Sequence, residues 1–95
     1  MTRIIVKKII WDEWNIEHIK KHNVSVNEVE VVTKNIIVHN QTKEGRYLLI
    51  GRVGSRILTV IVNRKGTGIY YLVTVRDAAK KERIKAYEKE KIKIS

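Results

Sequence analysis

Two histidines, His18 and His22, lie four residues apart near the start of the chain, among lysines and carboxylates. A histidine suits proton transfer, because the ordinary pKa of its imidazole lies near neutrality. At about 100° per residue, Trp14, His18 and His22 fall on one side of a helix. Such a pair can also bind Zn²⁺, but no third ligand stands at metal spacing, so we expect no metal and no cofactor.

Arginines stand at the ends of the apolar runs rather than in their middles. The planar guanidinium group binds two phosphate oxygens at once and keeps its charge. Antiparallel pairing would bring Arg46 and Arg64 to one end of a sheet, and Arg76 near the turn between Arg52 and Arg56. This predicts two basic clusters, although any one of these arginines, Arg56 above all, could equally be a solvated strand end.

The charge balance is strongly basic, since 20 lysines and arginines against 10 acidic residues give a net charge of +10. A polyanion is attracted to such a domain at long range. The alternative is that lysine is abundant only because of an AT-rich genome or a heat-adapted source, where glutamate rises with lysine. Because 13 lysines are accompanied by only 8 glutamates, we expect nucleic-acid binding.

The size and composition favour a small domain of the cytoplasm. The 95 residues suffice for one domain with a modest core, so we expect a single domain over residues 1–95. No stretch approaches the roughly 20 apolar residues of a membrane span, and no signal-peptide core is present at the N-terminus. The absence of cysteine excludes cysteine nucleophiles, disulfides and thiolate metal sites.

Capping and turn residues predict an α+β fold with the order β-α-α-β-β-β-β-α. Asp12 is a predicted N-cap, and Ser25 with Glu28 forms a predicted capping box, although the valines that follow also fit a strand. The four later strands are joined by short turns, which allow only an antiparallel meander. The predicted elements are a strand over 4–11, helices over 13–22 and 26–34, strands over 36–41, 46–53, 56–63 and 69–76, and a helix over 78–91.

The sequence also predicts how the last two strands and the last helix pack in the fold. The strands are apolar at nearly every position, so we expect them to be central and covered on both faces. Asp77 is the predicted N-cap of the last helix. Its predicted inward residues are Ala79, Ile84 and Tyr87.

Several short motifs occur in the order and spacing of a known family. They are Trp11-Asp12, Lys21-His22-Asn23-Val24, Glu44-Gly45-Arg46 before Ile50-Gly51-Arg52, Arg64, and Val75-Arg76-Asp77-Ala78 before Lys81-Glu82-Arg83 and Tyr87. On these residues the chain resembles the BrnT family of type II toxins, which share the RelE/ParE-like fold. The first helix departs from the family, which usually has small residues where this chain has Trp14-Asn15-Ile16-Glu17-His18.

The resemblance implies a metal-independent endoribonuclease that cleaves mRNA and is held inactive, in a hetero-oligomer, by a cognate DNA-binding antitoxin similar to BrnA. In such a reaction a base takes the proton of a ribose 2′-OH, positive groups stabilise the pentacoordinate phosphorus, and an acid protonates the departing 5′-oxygen. The predicted catalytic residues are His22, Arg52 and Arg76. The predicted RNA-binding residues are Arg46, Arg64, Lys21, Lys80 and Lys81, with His18, Glu82 and Tyr87 in support.

Plain structural roles compete with these assignments. His22 can be a helix C-cap, where a protonated imidazole is favoured by the helix dipole, and Tyr87 can anchor the last helix to the sheet. Of Tyr70 and Tyr71, alternation along a strand places one in the core and leaves the other able to stack on a base. Two other functions stay open. One is a non-catalytic nucleic-acid- or antitoxin-binding module of the same fold, and the other is a ParE-like toxin acting on a protein such as gyrase.

Overall fold

The structure, a computed structural model, describes residues 4–94, with side chains up to residue 91. Residues 1–3 and 95 of the expected domain lie outside this description. The elements follow the predicted order, and the α+β class is confirmed. They are β1 (Lys8–Ile10), α1 (Glu13–Lys21), α2 (Val26–Lys34), β2 (Ile36–Lys43), β3 (Arg46–Val53), β4 (Arg56–Gly66), β5 (Ile69–Asp77) and α3 (Lys80–Ile94).

The five strands form one sheet in the order β1-β5-β4-β3-β2. Strands β2 to β5 are the predicted antiparallel meander, and β4 lies in the middle. Strand β1 is parallel to β5 and is shorter than the predicted 4–11, because it pairs only with residues 69–71. The later part of β5 therefore has a free edge on that side, and α1 lies along it.

Both N-terminal helices begin at the predicted caps. The Asp12 carboxylate accepts a hydrogen bond from the Asn15 N–H (2.9 Å), and the Asn15 side chain accepts one from the Asp12 N–H (2.8 Å). Ser25 and Glu28 form the predicted capping box of α2. Asn23 follows α1 with a φ of 60°, the left-handed conformation that asparagine tolerates and that ends a helix.

The inner face of the sheet carries the main core, under α1 and α2. Leu49, Val60 and Val75 are Cα partners across β3, β4 and β5, and all three are fully buried. Cross-strand partners project to the same face, so this row faces Val29 and Val32 of α2, which are also fully buried. Burial of such a side chain stabilises a fold by roughly 1.5–3 kcal/mol.

The outer face is covered in part by α3, which packs over β2 and β3. The predicted inward residues of α3 are wrong: Ala79 is exposed, and Ile84 and Tyr87 are 45% and 46% exposed. Ala86 is instead fully buried, in a small cluster that includes Ile50 of β3. Besides this cluster, α3 is joined to the sheet by the ion pairs of two glutamates, Glu82 with Arg76 and Glu90 with Arg52.

The predicted N-cap of the last helix is also wrong. The Asp77 carboxylate lies at the end of β5 and accepts hydrogen bonds from Arg56, with Arg56 Nε 2.8 Å from Asp77 Oδ1. Because the Asp77 carboxylate is bound by Arg56, it does not cap the helix. The Ala79 N–H is satisfied by Glu82 Oε1 (2.7 Å), and α3 begins only at Lys80. Within residues 4–94, no helix is long and apolar enough to cross a membrane.

Candidate functional site

Helix α1 runs alongside the free edge of β5, and two of its side chains, one helical turn apart, contact that strand. Asn15 is fully buried, and its Nδ2 donates hydrogen bonds to Ile10 O (3.0 Å) and Leu72 O (3.2 Å). One turn later, His18 Nε2 lies 3.0 Å from Thr74 Oγ1. A buried amide whose donors are both used fixes its helix in place, because leaving them unpaired costs about 1–3 kcal/mol.

The far end of α1 is fixed to the end of β5 by Arg56. Its Nη1 donates to the Asn23 carbonyl (2.8 Å), and its Nε donates to the Asp77 carboxylate (2.8 Å). Because His22 precedes Asn23 and Arg76 precedes Asp77, the structure brings these two predicted catalytic residues to the same end of the molecule. Arg56 is thus not a solvated strand end, the alternative that the sequence left open, since it joins α1 to the sheet.

Three aromatic side chains form a ladder along the exposed side of α1, as the helical spacing predicts. The rings of Trp14 and His18 are stacked, with centroids 5.0 Å apart and planes 6° from parallel. The His22 ring follows at 5.1 Å from that of His18 and is tilted by 60°. His22 is exposed and is the C-cap of α1, its N–H donating to Ile19 O (3.0 Å). The cap position leaves the imidazole free to act on a ligand.

A bulge in β5 turns Thr74 and Arg76 to the outer face. Leu72 pairs with Val62, and Thr74 pairs with Ile61, the residue next to Val62 on β4. Val73 is therefore the extra residue of a β-bulge. Without the extra residue, strand alternation would send Thr74 to the same face as the buried Leu72. The bulge thus places Thr74 beside His18.

Side chains cross the outer face in three rows, because cross-strand partners share a face. The rows are Ile50–Thr59–Arg76, Leu48–Ile61–Thr74 and Arg46–Asn63–Tyr71. The first row lies beside α3. The second and third rows are only half-buried and form an open strip between α3 and the edge held by α1. At the end of the third row, the Tyr71 hydroxyl donates to the Asp12 carboxylate (2.9 Å).

Arg76 is oriented by a glutamate of α3. Its Nη1 and Nη2 donate to the two carboxylate oxygens of Glu82, at 2.7 and 2.9 Å. Glu82 Oε1 also accepts from the Thr59 hydroxyl (2.9 Å) and the Ala79 N–H. These bonds, that of Arg76 first, lower the pKa of Glu82 to about 2. Glu82 therefore stays ionised at neutral pH and positions Arg76, whose side chain is still 45% exposed.

Arg52 is bound to a different glutamate of α3 from the one that binds Arg76. Its Nε and Nη2 donate to Glu90, both at 2.8 Å, and its guanidinium carbon lies 5.8 Å from the centroid of the Tyr87 ring. Glu82 and Glu90 are eight residues apart on α3, which is about 12 Å along a helix axis. Arg52 and Arg76 are thus anchored too far apart to form one clamp. Tyr87 contacts Arg52 and does not anchor the helix in the core.

The basic cluster expected at this end of the sheet is neutralised. Arg52 pairs with Glu90, Arg76 with Glu82, and Arg56 with both Glu28 and Asp77. Hydrogen bonds to arginine are the main cause of the lowered pKa of Asp77 and of Glu90, while for Glu28 the N–H of Ser25 comes first. The open positive charge here comes from the exposed Lys21 on α1 and Lys80 and Lys81 at the start of α3, and from the exposed Arg83, whose Nη1 donates to Ala78 O (2.7 Å).

Arg46 and Arg64 lie at the opposite end of the sheet, close together as predicted. The Arg64 N–H donates to Gly45 O (2.6 Å). Arg46 pairs with Asn63 and faces outward, whereas Arg64 pairs with Tyr70, which is buried in the inner core. The two arginines therefore project to opposite faces, and only Arg46 shares a face with Arg76.

Sequence reasoning missed three residues of this site: Thr59, Thr74 and Glu90. Thr59 is a polar residue in the middle of the apolar run of β4, which is a signal that a partner lies opposite. Glu90 repeats Glu82 at helical spacing. Among the described residues, no group of three or more histidine and acidic side chains is placed to hold a metal ion.

Comparison with known proteins gives one informative result. No family model matches the sequence, and no curated protein matches it. Among solved structures, the chain is similar to the Brucella abortus ribonuclease toxin BrnT, with a TM-score of 0.63 and 27% sequence identity. The match covers 76% of this chain and 96% of that chain. The predicted resemblance to BrnT toxins, and with it the BrnT-like fold, is confirmed.

Proposed function

We propose that this chain is a toxin that cleaves mRNA as a metal-independent endoribonuclease and is held inactive by a cognate antitoxin. The observation that carries this proposal is the similarity to the Brucella abortus ribonuclease toxin over almost the whole length of that protein. The site agrees with it chemically, since an exposed histidine and an oriented arginine lie at the same end of an open sheet face.

In the proposed reaction, Arg76 binds the non-bridging oxygens of the scissile phosphate. Glu82 accepts from both Nη1 and Nη2 while the Arg76 side chain stays 45% exposed, so the group is oriented before the substrate arrives. Positive charge fixed in this way stabilises a pentacoordinate phosphorus without reorganisation during the reaction. The α3 helix adds Lys80 and Lys81 next to the same point.

His22 is the proposed proton-transfer group. It takes the proton from the ribose 2′-OH, the 2′-oxygen attacks phosphorus, and the bond to the 5′-oxygen breaks. The proton returns to that oxygen, so the products are a 2′,3′-cyclic phosphate and a free 5′-hydroxyl. His18, fixed by Thr74, stacked on Trp14 and in contact with the tilted ring of His22, positions His22. Arg52, paired with Glu90 beside Tyr87, holds α3 rather than the phosphate.

The RNA strand is proposed to follow the open strip from Arg46 toward Arg76. Lys21 borders the strip on the α1 side, and the net charge of +10 favours the approach of a polyanion. Arg64 projects to the other face and is left without a direct contact to this strand, so its predicted RNA-binding role is limited to long-range attraction. We place the protein in the cytoplasm, where mRNA is available.

The proposed antitoxin is a DNA-binding protein similar to BrnA that covers the outer face in a hetero-oligomer. Such a partner needs acidic groups opposite Lys21, Lys80 and Lys81 and an apolar segment for the half-buried Leu48 and Ile61. Binding there would block the strip and hence the nuclease.

The test is cleavage of a defined mRNA by the purified chain in excess EDTA, with mapping of the new 5′ ends. We expect fragments with 5′-hydroxyl and 2′,3′-cyclic phosphate ends, lost in Arg76→Ala and retained in Arg64→Ala, which changes the other face. Binding without cleavage would favour a non-catalytic module. Growth arrest without new RNA ends on induction in cells would favour a toxin that acts on a protein such as gyrase.

A further inference from the structure

The more exposed of the two tryptophans lies not in the open strip but beside it. Trp14, on α1, is 59% exposed. A single exposed apolar side chain is common on a protein surface, so exposure alone assigns no role to the indole. The indole cannot turn inward, because the buried Asn15 and Ile19 already take the inner side of α1.

The surroundings of Trp14 are polar. On the surface of α1 it is flanked by Glu17, one turn along the helix, and by Glu13, the preceding residue; both are exposed, and Glu17 is paired with Lys20 (3.2 Å). These charged side chains do not extend the indole into an apolar patch along the exposed side of α1. A protein partner that buries a tryptophan normally finds such a patch, with a ring of contacts that excludes water. An isolated ring among charged groups fits a flat ligand with polar edges better.

The indole is also prepared for stacking. It is parallel to the His18 imidazole to within 6°, at 5.0 Å between centroids. His18 is in turn held by Thr74 at 3.0 Å, and Thr74 stands two residues before Arg76 on β5. The stacked pair is thus rigid and borders the row next to the proposed phosphate site. Unpaired RNA bases are bound in proteins by stacking on aromatic rings of this kind.

We propose that Trp14, supported by His18, is a stacking site for one unpaired base of a single-stranded RNA substrate, on the α1 side of the strip that leads to Arg76. The inference deepens the proposed ribonuclease function and rests on it for the identity of the ligand. It assigns a role to the part of the first helix in which this chain departs from the BrnT pattern. Trp14 binds the base and takes no part in proton transfer.

The test is the affinity of the full chain for a short labelled single-stranded RNA, measured by fluorescence anisotropy in EDTA with 2′-O-methyl riboses that block cleavage. We expect Trp14→Ala to weaken binding roughly 5- to 150-fold and Trp14→Tyr to keep most of it, since a stacked base contributes about 1–3 kcal/mol. Ile84→Ala, which removes another exposed apolar side chain (45% exposed) from α3, is the control and should bind as the wild type.

Oligonucleotides with a single abasic position locate the contact. At one position, loss of the base should weaken binding to the wild type but have no further effect on Trp14→Ala, because the ring and the base form one pair. In the Trp11→Phe variant, Trp14 is the sole indole, and its fluorescence should be quenched by the intact RNA.

The outcomes separate this inference from the proposed function. Base-dependent binding at Trp14 in a chain that cuts no RNA supports the stacking site and removes the nuclease assignment. Cleavage and binding at wild-type level in Trp14→Ala overturn the stacking site and leave the nuclease standing. If Trp14→Ala loses only its binding to the co-expressed antitoxin, the ring is a protein contact and the inference is wrong.

Discussion

His18 Nε2 lies 3.0 Å from Thr74 Oγ1, and this contact joins the helix that carries both candidate histidines to the strand that carries Arg76. It exists only because Val73 forms a bulge in β5. Bulges commonly re-aim side chains next to functional sites. One extra residue in a strand thus sets the position of the histidines relative to the arginine.

Replacing Thr74 by valine tests whether this contact positions the site. Valine has nearly the same shape, but it leaves the His18 ring nitrogen without its partner. We expect the cleavage rate to fall roughly 10- to 100-fold through misplacement of the ladder, with a loss of stability of about 1 kcal/mol. Thr42→Val, in the exposed β2–β3 hairpin, is the control. Equal rates for the two variants would exclude a positioning role for Thr74.

The role of His22 is tested against the third histidine of the chain. If His22 transfers the proton, His22→Ala should reduce kcat by roughly 10²–10⁴-fold and leave RNA affinity nearly unchanged. If it is only the C-cap of α1, the change should cost up to about 1 kcal/mol of stability and leave kcat intact. His39→Ala, on β2 at the other edge of the sheet, is the control and should cleave as the wild type.

The ion pair of Glu82 makes the stability depend on pH in the acid range. The pKa of Glu82 is about 2 in the folded chain, below its ordinary value of 4.5. Its contribution is therefore complete above about pH 4.5 and is lost as the pH falls toward 2. The shift corresponds to roughly 2–3 kcal/mol, because one unit is worth about 1.4 kcal/mol and the partly exposed Arg76 is screened by solvent.

Thermal unfolding of Glu82→Gln between pH 2 and 7 measures this contribution. The difference in stability between wild type and variant should be largest at neutral pH and should shrink as the pH falls through this range. Other carboxylates with a lowered pKa, such as Asp77 and Glu90, act equally in both proteins and cancel in the difference. Glu88→Gln, on the exposed side of α3, serves as control. A difference that does not change with pH would contradict the ion-pair account.

Much of the fold follows from local signals in the sequence. The caps at Asp12 and Ser25 define the two helices, and the short turns leave no alternative to the meander. The inward face of α3 was not predictable from apolar spacing, because this helix is held by Glu82 and Glu90. Their partners, Arg76 and Arg52, are remote or on another element, so no helical pattern shows them.

In the candidate site, too, the sequence predicts what depends on local geometry and misses what depends on contacts between remote elements. Helical spacing places Trp14, His18 and His22 on one side of α1, as observed, since it depends only on local geometry. The bulge at Val73 has no such signature, because valine fits a regular strand equally well. Without the bulge, alternation along β5 gives the wrong face for Thr74.

Gly51 marks the closest approach of the sheet to α2. A Cβ at this position would lie 2.8 Å from Val32 Cγ1 and 3.1 Å from the Asn35 carbonyl oxygen, and Val32 is fully buried. We expect Gly51→Ala to destabilise the chain by roughly 1–3 kcal/mol through overpacking, measured by urea unfolding. Gly54→Ala tests a different cost, that of a positive φ with open space around it. A Gly51→Ala variant as stable as the wild type would show that α2 moves freely on the sheet.

The strongest test of the proposed chemistry is the exchange of Arg76 for lysine. Lysine keeps the charge but cannot bind Glu82 on one side and a phosphate on the other with a planar group. We expect Arg76→Ala to lose roughly 2–4 kcal/mol of transition-state stabilisation, seen in kcat/KM, and Arg76→Lys to lose most of that amount.

Loss of Arg76 also leaves Glu82 unpaired, which weakens the docking of α3. Glu82→Gln separates the two effects, because it disturbs the same contact but keeps the guanidinium group. If the Arg76 substitution lowers activity only by destabilising the fold, Glu82→Gln and Arg76→Lys should lose cleavage and thermal stability in parallel. If Arg76 acts on the phosphate, Arg76→Lys should lose far more cleavage at equal stability. A fully active Arg76→Lys variant would remove the role assigned to Arg76.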